Sequence, residues 1–330
     1  MSSERLIIGA AQLGQPYGRG ARRPPEPDEV GRWLAAAATA DVAGIDTARA
    51  YGDSEAMIGA ARAGAESGPA AATGERPTEA AGPVPIVTKI RPLTEFDAGA
   101  APQEVERAVR ASLLASLTAL RTATIDTLLL HRAGDLRAGS GRPITVLDDL
   151  RRDGLIGRWG VSLGSPAELI DALDVPGLGY VQLPYNLLDR RWCAPEVEAA
   201  LAARPEVMVA ARSAYLQGIL VDPLARHWPG PRPADAAELA ERLSGLGREL
   251  GRQSLRDLAL GYVLGQAWVD AVVVGARSAE QIADAARLVG NPPLTATEIA
   301  RARAELPAGP LDLVDPARWP PAPDRPFEKG

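Results

Sequence analysis

A chain of 330 residues that is 46% hydrophobic and 24% charged can bury a large core, and its net charge of -6 gives no global positive field to recruit nucleic acid or an anionic membrane. The single cysteine, Cys193, excludes an intrachain disulfide and a cysteine-based zinc cluster, so no metal is called for. No apolar run reaches the roughly 18 residues a membrane span needs, and MSSERLIIGAAQLG lacks a signal-peptide core followed by a cleavage site, so a cytoplasmic globular protein is expected.

Eight short apolar runs follow in chain order: LIIGAAQLG (6–14), GIDTA (44–48), PIVTKI (85–90), TLLLH (127–131), RWGVSLG (158–164), YVQLPYN (180–186), VMVAARS (207–213) and AVVVGAR (271–277). They are rich in Val, Ile and Leu and do not strictly alternate, as expected of strands buried on both faces of a parallel sheet. Helical patterns fill the gaps, from DEVGRWLAAAATA after the first run to SAEQIADAARLVG after the last, with two helices between the seventh and eighth. SPAELIDALD carries its own start signal, with Ser165 as N-cap, Pro166 at the first helical position and Glu168 two residues later. Eight strand–helix units, with LGQPYG after the first strand in place of G-x-G-x-x-G, predict a (β/α)8 TIM barrel with extra helices. One domain over 1–330 is expected, with a flexible loop at about 63–83 and an irregular tail at about 308–330, of which DPARWPPAPDRPFEKG from Asp315 on is not expected to be a helix.

In such a barrel, chemistry is built at the C-terminal strand ends. The second run reaches Asp46, with Tyr51 in the loop that follows; the third reaches Lys89 and the fourth His131. Taken singly, each has an ordinary structural reading, as a cap, a surface ring, a snorkelling lysine or a buried imidazole. Together at one mouth they form a proton-transfer set. A free phenol has a pKa of about 10, too high for proton exchange at neutral pH. A lysine ammonium within roughly 4–6 Å favours the phenolate, and a paired aspartate keeps that buried lysine charged. The histidine can orient a carbonyl oxygen by a hydrogen bond. Asp46 then holds Lys89, Lys89 tunes Tyr51, and Tyr51 delivers the proton.

The pieces GIDTARAYGDSEAMIG, VTKI, TLLLHR, GLIGRWGVS, VQLPYN, ARSAYLQGIL and VVVGARSAEQIADA, in this order from about Leu6 to Leu288, resemble the aldo-keto reductase family. AAQLGQPYG and ARSAYLQGIL look like a bacterial branch associated with sugar and polysaccharide gene sets. The resemblance implies that Asp46, Tyr51, Lys89 and His131 are the catalytic tetrad. It also implies a nicotinamide cofactor, NADPH with NADH as the alternative, bound across the mouth. Ser162 and Gln182 would hold its carboxamide. Arg212, Ser213, Leu216 and Gly218 would surround the nicotinamide and pyrophosphate. Gly275, Arg277, Ser278 and Gln281 would receive the adenosine end, with Arg277 on a 2′-phosphate. Three positions depart from the family pattern: Arg212 stands where many members stack a tyrosine, Leu163 follows Ser162 in place of asparagine, and Asp284-Ala285 replaces Glu-Asn.

The implied activity is reduction of an aldehyde or ketone, or the reverse, on a polar and sugar-like small molecule. Tyr17, Arg49, Arg132, Tyr185, Asn186, Arg191 and Trp192 are the substrate-rim candidates, with Arg91 and Arg190 nearby. A redox-neutral epimerase or lyase on the same barrel, a regulatory subunit with a vestigial site, and a Schiff-base aldolase using Lys89 stay open as alternatives. A barrel leaves no sheet edge to pair, so a monomer is expected.

Overall fold

The eight apolar runs become eight parallel strands: β1 (Ser3–Gly9), β2 (Val42–Asp46), β3 (Ile86–Lys89), β4 (Ile125–Leu130), β5 (Ile156–Ser162), β6 (Tyr180–Pro184), β7 (Met208–Arg212) and β8 (Ala271–Gly275). In this computed structural model each strand pairs with its sequence neighbours, and β8 closes on β1, giving a closed barrel. The structure describes residues 3–15, 25–66, 83–224, 228–229 and 235–319. Among them no helix is long and apolar enough to cross a membrane.

Twelve α-helices follow in order among the described residues: α1 (Ala11–Gly14), α2 (Pro27–Thr39), α3 (Ser54–Glu66), α4 (Pro102–Leu120), α5 (Arg142–Arg152), α6 (Pro166–Leu173), α7 (Pro195–Ala202), α8 (Ala236–Glu249), α9 (Leu255–Leu264), α10 (Ala279–Val289), α11 (Ala296–Glu305) and α12 (Leu311–Val314). Five of them carry proline in the first turn, at Pro27, Pro102, Pro143, Pro166 and Pro195. There its missing N–H has no partner to lose and its fixed φ already suits the helix. The capping box expected at Ser165 and Glu168 is present.

Side-chain alternation along the strands decides what reaches the mouth. An inner layer of Ile7, Val87, Leu129, Tyr180, Ala210 and Ala271 fills the barrel. Two residues on, the same inward face ends at Gly9, Lys89, His131, Gln182 and Arg212. Register adds Asp46 opposite Gly9 and Ser162 opposite Gln182, and β8 contributes Gly275 opposite Gly9. The outward face, with Leu6, Ile8, Leu128, Leu130 and Val161, packs on the helices in one continuous core. Each fully buried Leu or Ile there stabilises the fold by roughly 1.5–3 kcal/mol, so the strand ends stand on a rigid base.

Several boundaries differ from the sequence reading. The run 6–14 is not one strand: β1 stops at Gly9, where it meets Asp46 and Gly275, and the helix-forming Ala-Gln-Leu segment turns into α1. The loop expected from 63 begins inside α3, which continues to Glu66, and its positions 67–82 lie outside the described residues. The irregular tail opens with the short α12 and a single 3-10 turn at Pro316–Arg318, the Trp319 indole donates to the Leu313 carbonyl at 2.9 Å, and positions 320–330 lie outside the described residues. α11 was not anticipated, although Thr295 and Glu298 form a capping box legible as T-x-x-E.

Candidate active site

Lys89 Nζ lies 2.7 Å and 2.8 Å from the two Asp46 carboxylate oxygens and 3.1 Å from the Thr47 carbonyl. Asp46 is 5% exposed and Lys89 1%. A pair this deep is held by geometry, and here the third donor on Asp46 is the Gln182 amide, at 2.7 Å. Burial works against the Lys89 ammonium, but Asp46 and then Tyr51 outweigh it and raise its pKa above the usual lysine value. Lys89 is therefore a permanent cation at neutral pH. Its Nζ sits 5.1 Å from the centre of the Tyr51 ring.

Two glycines and a buried carboxylate fix Tyr51. A Cβ on Gly14 would fall 2.0 Å from the Tyr51 carbonyl oxygen, and one on Gly52 would fall 2.2 Å from the Gly14 carbonyl oxygen. Gly52 also takes a left-handed φ of +54°. α1 and the loop after β2 thus touch backbone to backbone. Beside them Glu55, 1% exposed, accepts from Arg49 at 2.5 Å and from the Thr88 hydroxyl at 2.6 Å. Thr47 donates to Ser54 and Ser54 to the Ala10 carbonyl, at 2.9 Å and 2.8 Å. The loop carrying Tyr51 is tied to β1, β3 and α3 at once.

His131 meets the Tyr51 ring edge to face, with centroids 6.0 Å apart and planes at 87°. Burial first, then the Lys89 charge, hold its pKa down at about 4; the Ile90 backbone and Asp46 only partly offset them. The imidazole is neutral at pH 7 and can donate one hydrogen bond while carrying no charge. Asp135, 3% exposed, accepts the Leu93 and Arg132 backbone N–H groups at 3.0 Å and 3.1 Å, joining the loops after β3 and β4 next to it.

A cavity of about 440 Å³ opens from Asp46 and Tyr51 across the mouth towards β7 and β8. Of the expected cofactor residues it is lined by Gln182, Arg212, Ser213, Gly218, Gly275, Arg277 and Gln281. Ser162, 8% exposed, and Leu216, fully buried, do not line it; nor does Ser278, whose hydroxyl caps α10. The sequence reading missed Gln12, Tyr215, Gln217 and Arg256, which do line it. Arg256 sits on an element that carries only a helix signal, and Gln12 lies in the run 6–14 that reads as a strand. Asp284 also lines the cavity, held by Arg256 at 3.2 Å and Arg287 at 2.8 Å, and neighbouring Ala285 offers no polar side chain.

The donor set suits a dinucleotide. Arg212, Arg256 and Arg277 place three cations along the cavity. Gln12 Oε1 is buried without a hydrogen-bond partner, beside Gly275, where an added Cβ would stand 3.4 Å from the Gln12 amide. Ser213, Leu216, Gln217 and Gly218 all take positive φ, so the segment after β7 is tightly turned at the cavity wall. The Arg212 guanidinium donates to the Leu163 carbonyl at 3.2 Å.

The rim fares differently. Tyr185, Asn186 and Trp192 are fully buried and do not line the cavity. Tyr185 stacks on Tyr262 at 5.5 Å and accepts from Arg303, Asn186 accepts the Leu188 N–H, and the Trp192 indole donates to Asp189. Arg191 is held by both Asp189 oxygens and donates to the Gly164 carbonyl. Arg190 binds Tyr262 and the C-terminal carbonyls of α11. These residues brace the loop after β6 against the C-terminal helices, which corrects the rim assignment. Arg49 is engaged by Glu55. Arg132 and Arg91 are exposed, and Tyr17 lies outside the described residues.

The Aldo/keto reductase family model matches residues 5–305. Among solved structures, an aldo-keto reductase from Bacillus halodurans in its holo form is 22% identical, with 95% of each chain covered and a TM-score of 0.68. An aldo-keto reductase from Bombyx mori in complex with NADP is 21% identical, covering 97% of this chain and 95% of that one at a TM-score of 0.63. At these identities the likeness carries the fold. No curated protein matches the sequence.

Proposed function

The chain belongs to the Aldo/keto reductase family, whose members are NAD(P)H-dependent oxidoreductases acting on carbonyl and alcohol groups, and from that premise we propose that it reduces the carbonyl of a polar small molecule with NADPH. The observation that carries this reading is the buried Asp46–Lys89 pair seated against Tyr51, with a neutral His131 edge to face with the same ring. When bound, the nicotinamide supplies hydride to the carbonyl carbon. Gln182 keeps its Oε1 for the carboxamide, since its amide nitrogen is committed to Asp46. Arg277, half-buried at the adenosine end, is the residue for a 2′-phosphate.

The rest is proton management by the chain itself. His131 donates one hydrogen bond to the carbonyl oxygen and, being neutral, leaves proton delivery to another group. Tyr51 supplies that proton, and the adjacent Lys89 ammonium stabilises the negative charge left on the phenol oxygen. Asp46 keeps the ammonium in place. In the oxidative direction the same groups act in reverse. Tyr51→Phe tests the reading: it retains the ring and removes only the hydroxyl. Turnover of a carbonyl panel, followed at 340 nm, should fall by about 10² or more, while NADPH still binds. Near-normal turnover would remove Tyr51 as proton donor and return the redox-neutral readings to the front.

A further inference from the structure

Arginines cluster at the mouth, but the structure sorts them. Arg49 is paired with Glu55 and Arg191 with Asp189. Arg190 is drawn into the ends of the C-terminal helices, and Arg212 donates to the Leu163 carbonyl. Two differ. The side chains of Arg91 and Arg132 meet no carboxylate among the described residues, and both residues are exposed. They also emerge side by side. Lys89 pairs in register with Leu129 on the adjacent strand, and Ile90 donates to the Leu129 carbonyl, so Arg91 leaves β3 beside His131, and Arg132 is the next residue. The buried Asp135 carboxylate holds both loops together through the Leu93 and Arg132 N–H groups. Arg132 is near enough for its charge to act on the His131 imidazole.

The charges around the reacting position therefore do not cancel. Asp46 balances Lys89 and Glu55 balances Arg49. Arg91 and Arg132 remain outside any ion pair among the described residues, and Asp135, which joins their two loops, is buried and turned to backbone donors. We infer that the carbonyl substrate carries an anionic group, a carboxylate or a phosphate monoester, which Arg91 and Arg132 receive on the His131 side of the mouth. The inference rests on the reductase reading for its reaction and on the two unpaired guanidiniums for its substrate class. Guanidinium is suited to both oxyanions because it offers two parallel donors.

Binding and turnover separate this inference from the reading beneath it. In the full-length protein, with and without NADP, 4-hydroxybutyrate should bind at least about tenfold tighter than 1-butanol, the low end for a charge-assisted contact. Turnover with NADPH should favour succinic semialdehyde over butanal, and glyceraldehyde 3-phosphate over glyceraldehyde, by a similar factor. The two pairs show whether carboxylate or phosphate is preferred. Both preferences should shrink as salt is raised, and in Arg132→Gln and Arg91→Gln each should drop towards one. Arg152→Gln, at the C-terminal end of α5, should leave them intact. Tighter anion binding that needs both arginines, with no turnover of any of the four carbonyls, sustains the anion site and counts against the reductase reading. Equal binding of the anionic and neutral ligands, or an anion preference that survives both arginine substitutions, overturns the inference whatever the enzyme reduces.

Discussion

Replacing Lys89 with methionine removes one half of the buried pair and leaves the other. Asp46, 5% exposed, would retain a single side-chain donor, the Gln182 amide. Leaving one partner of a buried ion pair uncompensated costs about 3–5 kcal/mol. Unfolding entropy is about 2.1 cal/mol/K per residue, so a chain of 330 residues has about 0.7 kcal/mol/K, and the melting midpoint should drop by about 4–7 °C. Asp46→Asn combined with Lys89→Met removes both charges. The double variant should recover more than half of that loss, a coupling of about 2 kcal/mol or more. Thermal unfolding followed by circular dichroism at pH 7.5 and one scan rate reads all four proteins. Turnover separates stability from chemistry, because the double variant should regain midpoint but not activity. A Lys89→Met midpoint within about 1 °C of the parent, or strictly additive losses, would refute the claim that the pair is bound this tightly.

Further outcomes follow from other contacts. Gly14→Ala drives a Cβ to 2.0 Å from the Tyr51 carbonyl oxygen; stability should fall by about 1–3 kcal/mol and turnover by about 10², the scale for a displaced reacting group, with NADPH affinity reported by tryptophan fluorescence changing less. His131, neutral in the fold with a pKa of about 4 against 6.5 for an ordinary histidine, makes the unfolded chain the better proton binder between those values. Its stability contribution is thus complete above pH 6.5 and is lost as the pH falls towards 4, by about 3 kcal/mol in all; urea midpoints across that window should slope less in His131→Gln. Arg277→Ala should weaken NADPH binding by about 1–3 kcal/mol and NADH binding little, while equal losses for the two would place Arg277 away from the 2′-phosphate. With every strand paired inside the closed barrel, light scattering should report a monomer.

The barrel was readable because each strand is a short run rich in Val, Ile and Leu with a helical pattern after it. The meeting of Lys89 and His131 at one mouth was readable from the same runs: they lie two residues beyond Val87 and Leu129 on an inward face. The loop after β6 misled. Its Tyr-Asn-Leu-Leu-Asp-Arg-Arg-Trp string has the composition of a polar rim, yet Tyr185 is satisfied by Arg303, 118 residues away, and Arg191 and Trp192 share the buried Asp189. A partner as distant as Arg303 leaves no local pattern, and composition does not tell that the nearby Asp189 is buried. Arg256 escaped because a helix signal says which face is buried and nothing of which cavity the other face adjoins, and Gln12 because the run 6–14 reads as one strand while the chain turns into α1 at Ala11.

The inner layer has a bearing on solvent. Leu129, Tyr180 and Val87 stopper the barrel directly below Lys89, and each is at most 5% exposed. Below Lys89 the barrel is therefore filled with side chains. On the proposed chemistry, a proton handed over by Tyr51 is replaced through the mouth rather than through this packed layer. Whatever is seated there shuts off that supply, so restoring the phenol belongs to the interval after the product has left, and the refilling of the site with water becomes a step of the cycle in its own right.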